Sequence, residues 1–226
     1  MAFVATAVST LFAQAMLVRY TRTRRPQYGA WATALGMFAL ASAALVSGTS
    51  TGWDRGTFRA FYLFGAVLDV PWLALGTVYL LASAGVARHV RTGLLVFSGF
   101  AAGVLLSAPM DPVHGTAIPV GKDVFGALPR ILAAAGSGVA AIVIIVGAVV
   151  SAVRFARDRS PGHGRLAAGN VLIAAGTLVL SSGGLVQGTI GHDEAFTLSL
   201  ALGISVIYAG FLVAGSASRA AQASSR

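Results

Sequence analysis

Apolar runs of membrane-crossing length alternate along this chain with short charged stretches. A hydrocarbon core ~30 Å thick needs roughly 20 apolar residues of helix. The runs fall at 2–18, 29–49, 58–84, 93–110, 128–153, 166–187 and 195–216. They predict an all-α, polytopic membrane bundle of seven transmembrane helices. The sixth run is the most polar, with Asn170, Thr177, Ser181, Ser182 and Gln187. It is kept as a span because dropping it would reverse the seventh. The first run is read as a retained helix, not a signal peptide, because its Arg residues follow the apolar stretch instead of preceding it.

Charge sets the orientation. Arg19, Arg22, Arg24, Arg25, Arg88, Arg91, Arg154, Arg157, Arg159, Arg165, Arg219 and Arg226 fall on one side of the seven spans, with Asp158 the one acid among them. The other side holds Arg55, Arg59, Lys122 and Arg130 against Asp54, Asp111, Asp123, Asp193 and Glu194. By the positive-inside rule the Arg-rich side is cytoplasmic, so the N-terminus lies outside and the C-terminus inside. The net charge of +9 therefore belongs to membrane loops and does not mark a nucleic-acid surface. The partners expected are the lipid bilayer and, at the cytoplasmic Arg loops, anionic lipid.

Composition agrees with the pattern. Only 10% of the 226 residues are charged, against about 25% in soluble domains, and the mean hydropathy is +0.80. The chain has no Cys, which excludes disulfides, thiolate metal sites and thiol catalysis. Its 28 Gly let helix backbones approach closely in lipid. Abundant Ala and Gly, with Arg far above Lys, place the expected location in a bacterial plasma membrane.

Residues 22–29 read RTRRPQYG and residues 157–164 read RDRSPGHG, an offset of 135. The same offset pairs Ser47-Gly48 with Ser182-Gly183, and Phe61 with Phe196. This spacing suggests two parallel three-helix units, 1–85 and 128–216, joined by helix 93–110. The sugar carriers with three-plus-one-plus-three helices share that arrangement. Spans 1, 2, 6 and 7 have no proline where that family's hinges lie, so none of its binding residues is carried over.

Asp69 is the sharpest candidate for chemistry. It lies near the middle of the third span, ~16 Å deep at 1.5 Å per residue. A carboxylate there costs at least ~2.5–3.5 kcal/mol on insertion scales and faces the bundle interior as a rule. Tyr62, Gly65, Asp69, Trp72, Gly76 and Tyr79 recur at spacings of three and four, one helical stripe. Pro71 removes a backbone donor and predicts a kink beside the acid. Gln14, Ser205 and Tyr208 are the polar residues of other spans expected near the level of Asp69; Asn170, Thr177, Ser181 and Gly184 form a second stripe, with Asn170 nearer the cytoplasmic end as a packing residue or part of an inner gate. Such a set fits a ligand or proton site, and equally fits polar glue between helices.

Other chemistry is thinner. Asp54, Asp111, His114, Asp123, His192, Asp193 and Glu194 gather on the outer side without metal-ligand spacing, so no metal site is expected. No His lies within a span, which disfavours haem held by paired axial His ligands. No span carries the Lys that a retinal Schiff base needs. No cofactor is expected, and one intramembrane acid is little support for catalysis. Gly99–Gly103 and Gly184–Gly188 match the small-x-x-x-small packing pattern.

Three stretches carry a family likeness: Gly52-Trp53 followed by FYLFGAVLDVPWLALGTVYLL, then GNVLIAAGTLVLSSGG at 169–184, and the closing span. They resemble an uncharacterised family of bacterial seven-helix membrane proteins. That resemblance implies topology and no activity. The functional expectation is a small carrier or ligand-binding bundle with an intramembrane Asp; the alternative is a non-catalytic accessory or sensory subunit.

Overall fold

The computed structural model describes residues 2–157, 163–190 and 193–223. Side chains at 155–157, 163, 165–167, 170, 181, 183–190, 193 and 214–223 lie outside the described set. The long helices are α1 (Ala2–Thr23), α2 (Pro26–Thr51), α3 (Arg55–Leu81) and α4 (Ala84–Ser107). A single turn, α5 (Gly121–Val124), precedes α6 (Ala127–Arg157), α7 (His163–Ile190) and α8 (Asp193–Ala223). Six of these are long and apolar enough to cross a membrane, an assembly compatible with a membrane helix bundle. In α7 the apolar stretch identified is shorter, Val171–Leu180.

Local sequence explains the helix ends. Arg24 takes a left-handed φ of 54° and turns the chain between α1 and α2. Pro26 then starts α2 at a position where its missing N–H costs nothing. Asp54 caps α3, its carboxylate accepting from the Gly56 and Thr57 amides at 2.7 and 2.9 Å. Ser83 caps α4, which therefore begins well before the expected 93. Arg88 and Arg91 ride its first turns, where long side chains can keep their charge at the membrane surface.

Outward faces are strongly apolar. Phe3, Val96, Leu106, Val139 and Ile142 are each more than 60% exposed. Contiguous apolar surface on this scale suits lipid, not water.

The helices form a ring. α1 packs on α2, α2 on α3, α3 on α6, α6 on α7, α7 on α8, and α8 back on α1. α4 stays outside this ring and touches α3 and α6. Where α7 meets α8, backbones come together at glycines: a Cβ on Gly210 would lie 2.7 Å from Gly169 O, and one on Gly203 would lie 3.0 Å from Gly176 O. The expected packing pair Gly99 and Gly103 instead faces open space. Gly184 and Gly188 lie outside the described side chains.

Phe12, Trp31, Leu35, Phe38, Ile207 and Phe211 fill the middle of the ring between α1, α2 and α8. The segment between α4 and α6 folds over one end as a lid. Val113, Ile118, Val124 and Phe125 bury themselves there against Trp53 and Phe58. The lid is pinned by the Trp53 amide donating to Gly115 O at 2.9 Å and by Arg59 Nη2 donating to Ala108 O at 2.8 Å.

Candidate functional site

α3 is interrupted where the acid lies. Tyr62–Leu68 winds as π-helix, and the Asp69 amide donates to Phe64 O, one residue further back than in an α-helix. In that wider register the amide of residue 71 would reach Ala66 O, but residue 71 is proline. The vacancy is filled from α6: Ser137 Oγ donates to Ala66 O at 2.6 Å. Gly136 makes the approach possible, since a Cβ there would lie 2.9 Å from the Phe97 ring and 3.5 Å from Val67 O. About two turns on, past Pro71, Trp31 Nε1 of α2 donates to Leu73 O at 3.2 Å. Its indole fills the space that a side chain on residue 76 would occupy. Thus two neighbouring helices hydrogen-bond to backbone on either side of Pro71.

Asp69 sits between those supports, near the midpoint of Arg55–Leu81. It is buried, 9% exposed. Its Oδ1 accepts from the Val70 amide at 2.6 Å, so the carboxyl occupies a backbone donor just before the proline. Leu73, one turn further on the same face, packs into the cluster at the ring's centre.

The other expected site residues disperse. Tyr62 packs against Phe58 and Phe125 beneath the lid, with ring centroids 5.9 and 5.1 Å away. Trp72 Nε1 donates to Ser98 Oγ of α4 at 3.2 Å. Tyr79 lies half-buried beside Ala30, Leu75 and Leu94. Tyr208 lies against Phe12, the ring centroids 4.9 Å apart and the planes tilted by 48°. The stripe from Tyr62 to Tyr79 is therefore divided among the lid, α2 and α4 and lines no single path.

Gln14 does not approach Asp69; it is exposed. α1 turns Ala5, Ser9, Phe12 and Met16 inward. At 3.6 residues per turn, residue 14 falls on the opposite side. Ser205 is also exposed, its hydroxyl donating to Ala201 O. Thr177 is buried and donates to Ile173 O in its own helix. The side chains of Asn170, Ser181 and Gly184 lie outside the described set.

On the lid side, Asp54 serves as a cap. Thr57 Oγ1 also donates to it at 2.6 Å. That hydroxyl, then the Thr57 and Gly56 amides, hold its carboxyl below its ordinary value. Asp111, His114 and Asp123 are exposed, and no group of three acids or His able to hold a metal ion occurs among the described residues. His192 and the Asp193 side chain lie outside them.

Sequence reading missed Ser137, Trp31 and Ser98 as the polar partners of α3. Ser137 sits in Gly-Ser-Gly, which reads as small-residue packing. Its depth relative to Pro71 was the usable signal, because a freed carbonyl in lipid must find a donor.

No protein-family model, curated protein or solved structure matches the chain. The likeness to uncharacterised seven-helix proteins thus rests on its three apolar stretches alone.

Proposed function

We propose that the chain is a seven-helix protein of a bacterial plasma membrane, N-terminus outside, acting as a small carrier or ligand-binding bundle in which Asp69 takes up a proton or cation. One observation carries this reading: α3 is π-helical up to Asp69 and broken at Pro71, and side chains of α2 and α6 satisfy the backbone around the break. π-Segments and proline breaks are recurrent at functional sites in helices, and carriers build midplane sites on interrupted helices. A proton or cation arriving at Asp69 would neutralise a buried carboxyl and release the Val70 amide. The local backbone could then exchange one hydrogen-bonding register for another.

A parallel three-plus-one-plus-three repeat fits the helix neighbours. Exchanging α1, α2, α3 with α6, α7, α8 turns each ring contact into another ring contact and leaves α4 outside. The equivalent residues Phe61 and Phe196 meet edge to face at 6.2 Å, as residues near a two-fold axis between the copies would.

A second reading, a non-catalytic accessory or sensory subunit, is favoured by one fact. Asp69 is closed in and bonded to its own helix, an arrangement that also suits a locking contact. The two readings part in sealed vesicles loaded with a pH dye and offered a panel of small polar solutes. The carrier reading predicts solute-dependent proton movement in the wild type and its loss in Asp69→Asn. Uptake unaffected by Asp69→Asn removes the residue from the mechanism. A panel that moves no protons with either protein favours the accessory reading.

A further inference from the structure

A groove of about 610 Å³ runs along the outside of α2, away from Asp69. Its floor is made of small residues, among them Gly29, Ala32, Gly36 and Ala39. Leu17 of α1 and Leu75 of α3 belong to its walls. From Gly29 to Ala39 the floor is ~15 Å long at 1.5 Å per residue, half of a hydrocarbon core ~30 Å thick. The groove is therefore one leaflet deep.

At its Pro26 end the groove opens into a second hollow of about 400 Å³; the two share Pro26, Tyr79 and Arg91. Arg88 and Arg91, one turn apart on α4, line this hollow. Arg24 and Arg25 directly precede Pro26. Among the described residues no acid pairs with Arg88 or Arg91. The hollow thus offers unpaired cations at headgroup depth, joined to an apolar channel of acyl-chain length.

We propose that this surface is a binding site for one anionic glycerophospholipid of the Arg-rich leaflet. Its phosphate sits between Arg88 and Arg91, and one acyl chain lies over Gly36. A bidentate guanidinium–phosphate contact supplies the affinity; the preference for an anionic lipid comes from its uncompensated headgroup charge, since a choline cation would be repelled by Arg88 and Arg91, and the acyl chain covers backbone that would otherwise face bulk lipid. Charge complementarity selects a phosphate over a partner helix, since an apolar helix would leave both Arg unpaired. The inference rests on the membrane-spanning reading but not on Asp69, so failure of either test leaves the other standing.

The test is native mass spectrometry of the full-length protein in detergent, titrated with dioleoyl phosphatidylglycerol or with dioleoyl phosphatidylcholine. One phosphatidylglycerol should be retained well above phosphatidylcholine. Arg88→Gln/Arg91→Gln should weaken it about thirtyfold, as expected for two cations near a membrane surface. Arg154→Gln, on α6, should not. Gly36→Leu, with nothing within 4 Å of its Cβ position, should weaken the lipid without lowering protein stability. It should leave glycerol 3-phosphate competition unchanged. Equal retention of both lipids, or an unaffected Arg double variant, overturns the site. Loss in the Arg variant with none in Gly36→Leu overturns the acyl-chain assignment and leaves only surface charge. A dimer that persists without lipid and breaks in Gly36→Leu would make the occupant a second copy of this chain.

Discussion

The bond from Ser137 to Ala66 O ties α6 to the break in α3. Ser137→Ala removes the donor to a carbonyl that Pro71 has orphaned. Leaving a buried acceptor unpaired costs about 1–3 kcal/mol in soluble proteins. Side-chain bonds between membrane helices average ~0.6 kcal/mol, with a maximum near ~1.7. The carbonyl here has no intrahelical donor to fall back on, so the upper part of the membrane range applies, about 1 kcal/mol. Pro71→Ala changes the context. In an α-register Ala66 O receives the Val70 amide, and in the π-register it receives the amide that the substitution restores at position 71. Either way the carbonyl is satisfied without Ser137. The double variant should therefore lose little beyond Pro71→Ala alone, with a coupling energy of about 1 kcal/mol. The assay is equilibrium unfolding in mixed micelles, followed by the fluorescence of Trp31, Trp53 and Trp72. Equal costs for Ser137→Ala in both backgrounds would refute the account of the break.

Three further outcomes follow from named contacts. Gly76→Ala places a methyl inside the Trp31 indole; overpacking of this kind costs about 1–3 kcal/mol, and the Trp31 emission should shift as its bond to Leu73 O is lost. Gly99→Leu and Gly103→Leu, both facing open space, should leave unfolding of the monomer unchanged in the same micelles. Asp54 has a lowered folded value, so its cap contributes stability above its ordinary value of 3.8 and loses it as pH falls through the lowered one. Asp54→Asn should keep the cap and flatten this acid dependence of thermal stability, whereas Asp54→Ala should lose the cap at neutral pH as well.

Much of the fold was legible because lipid imposes strict rules on sequence. Apolar runs located the helices, with the fourth beginning early because Ser83 caps it. Pro71 announced a break, and Asp69 proved buried as its cost in lipid requires. The partners of that break were not legible. Gln14 looked suitable by depth alone, but depth does not fix a helix's rotation; the inward set Ala5, Ser9, Phe12 and Met16 does. In sequence the lid segment shows only its acids and His on the outer side. Val113, Ile118 and Phe125, scattered among prolines and glycines, lack any helical or strand period to betray their burial. Tyr62 then belongs to that lid cluster and not to a path through the bundle.

The central claim is that Asp69, closed in beside the α3 break, exchanges a proton or cation with the surrounding solution. Infrared difference spectroscopy of the reconstituted protein isolates the Asp69 carboxyl by subtraction of the Asp69→Asn spectrum. This band should shift within minutes of transfer from water to deuterium oxide, together with amide bands of a backbone that opens around Pro71. A band unchanged over many hours would contradict it, leaving Asp69 a sealed lock between helices.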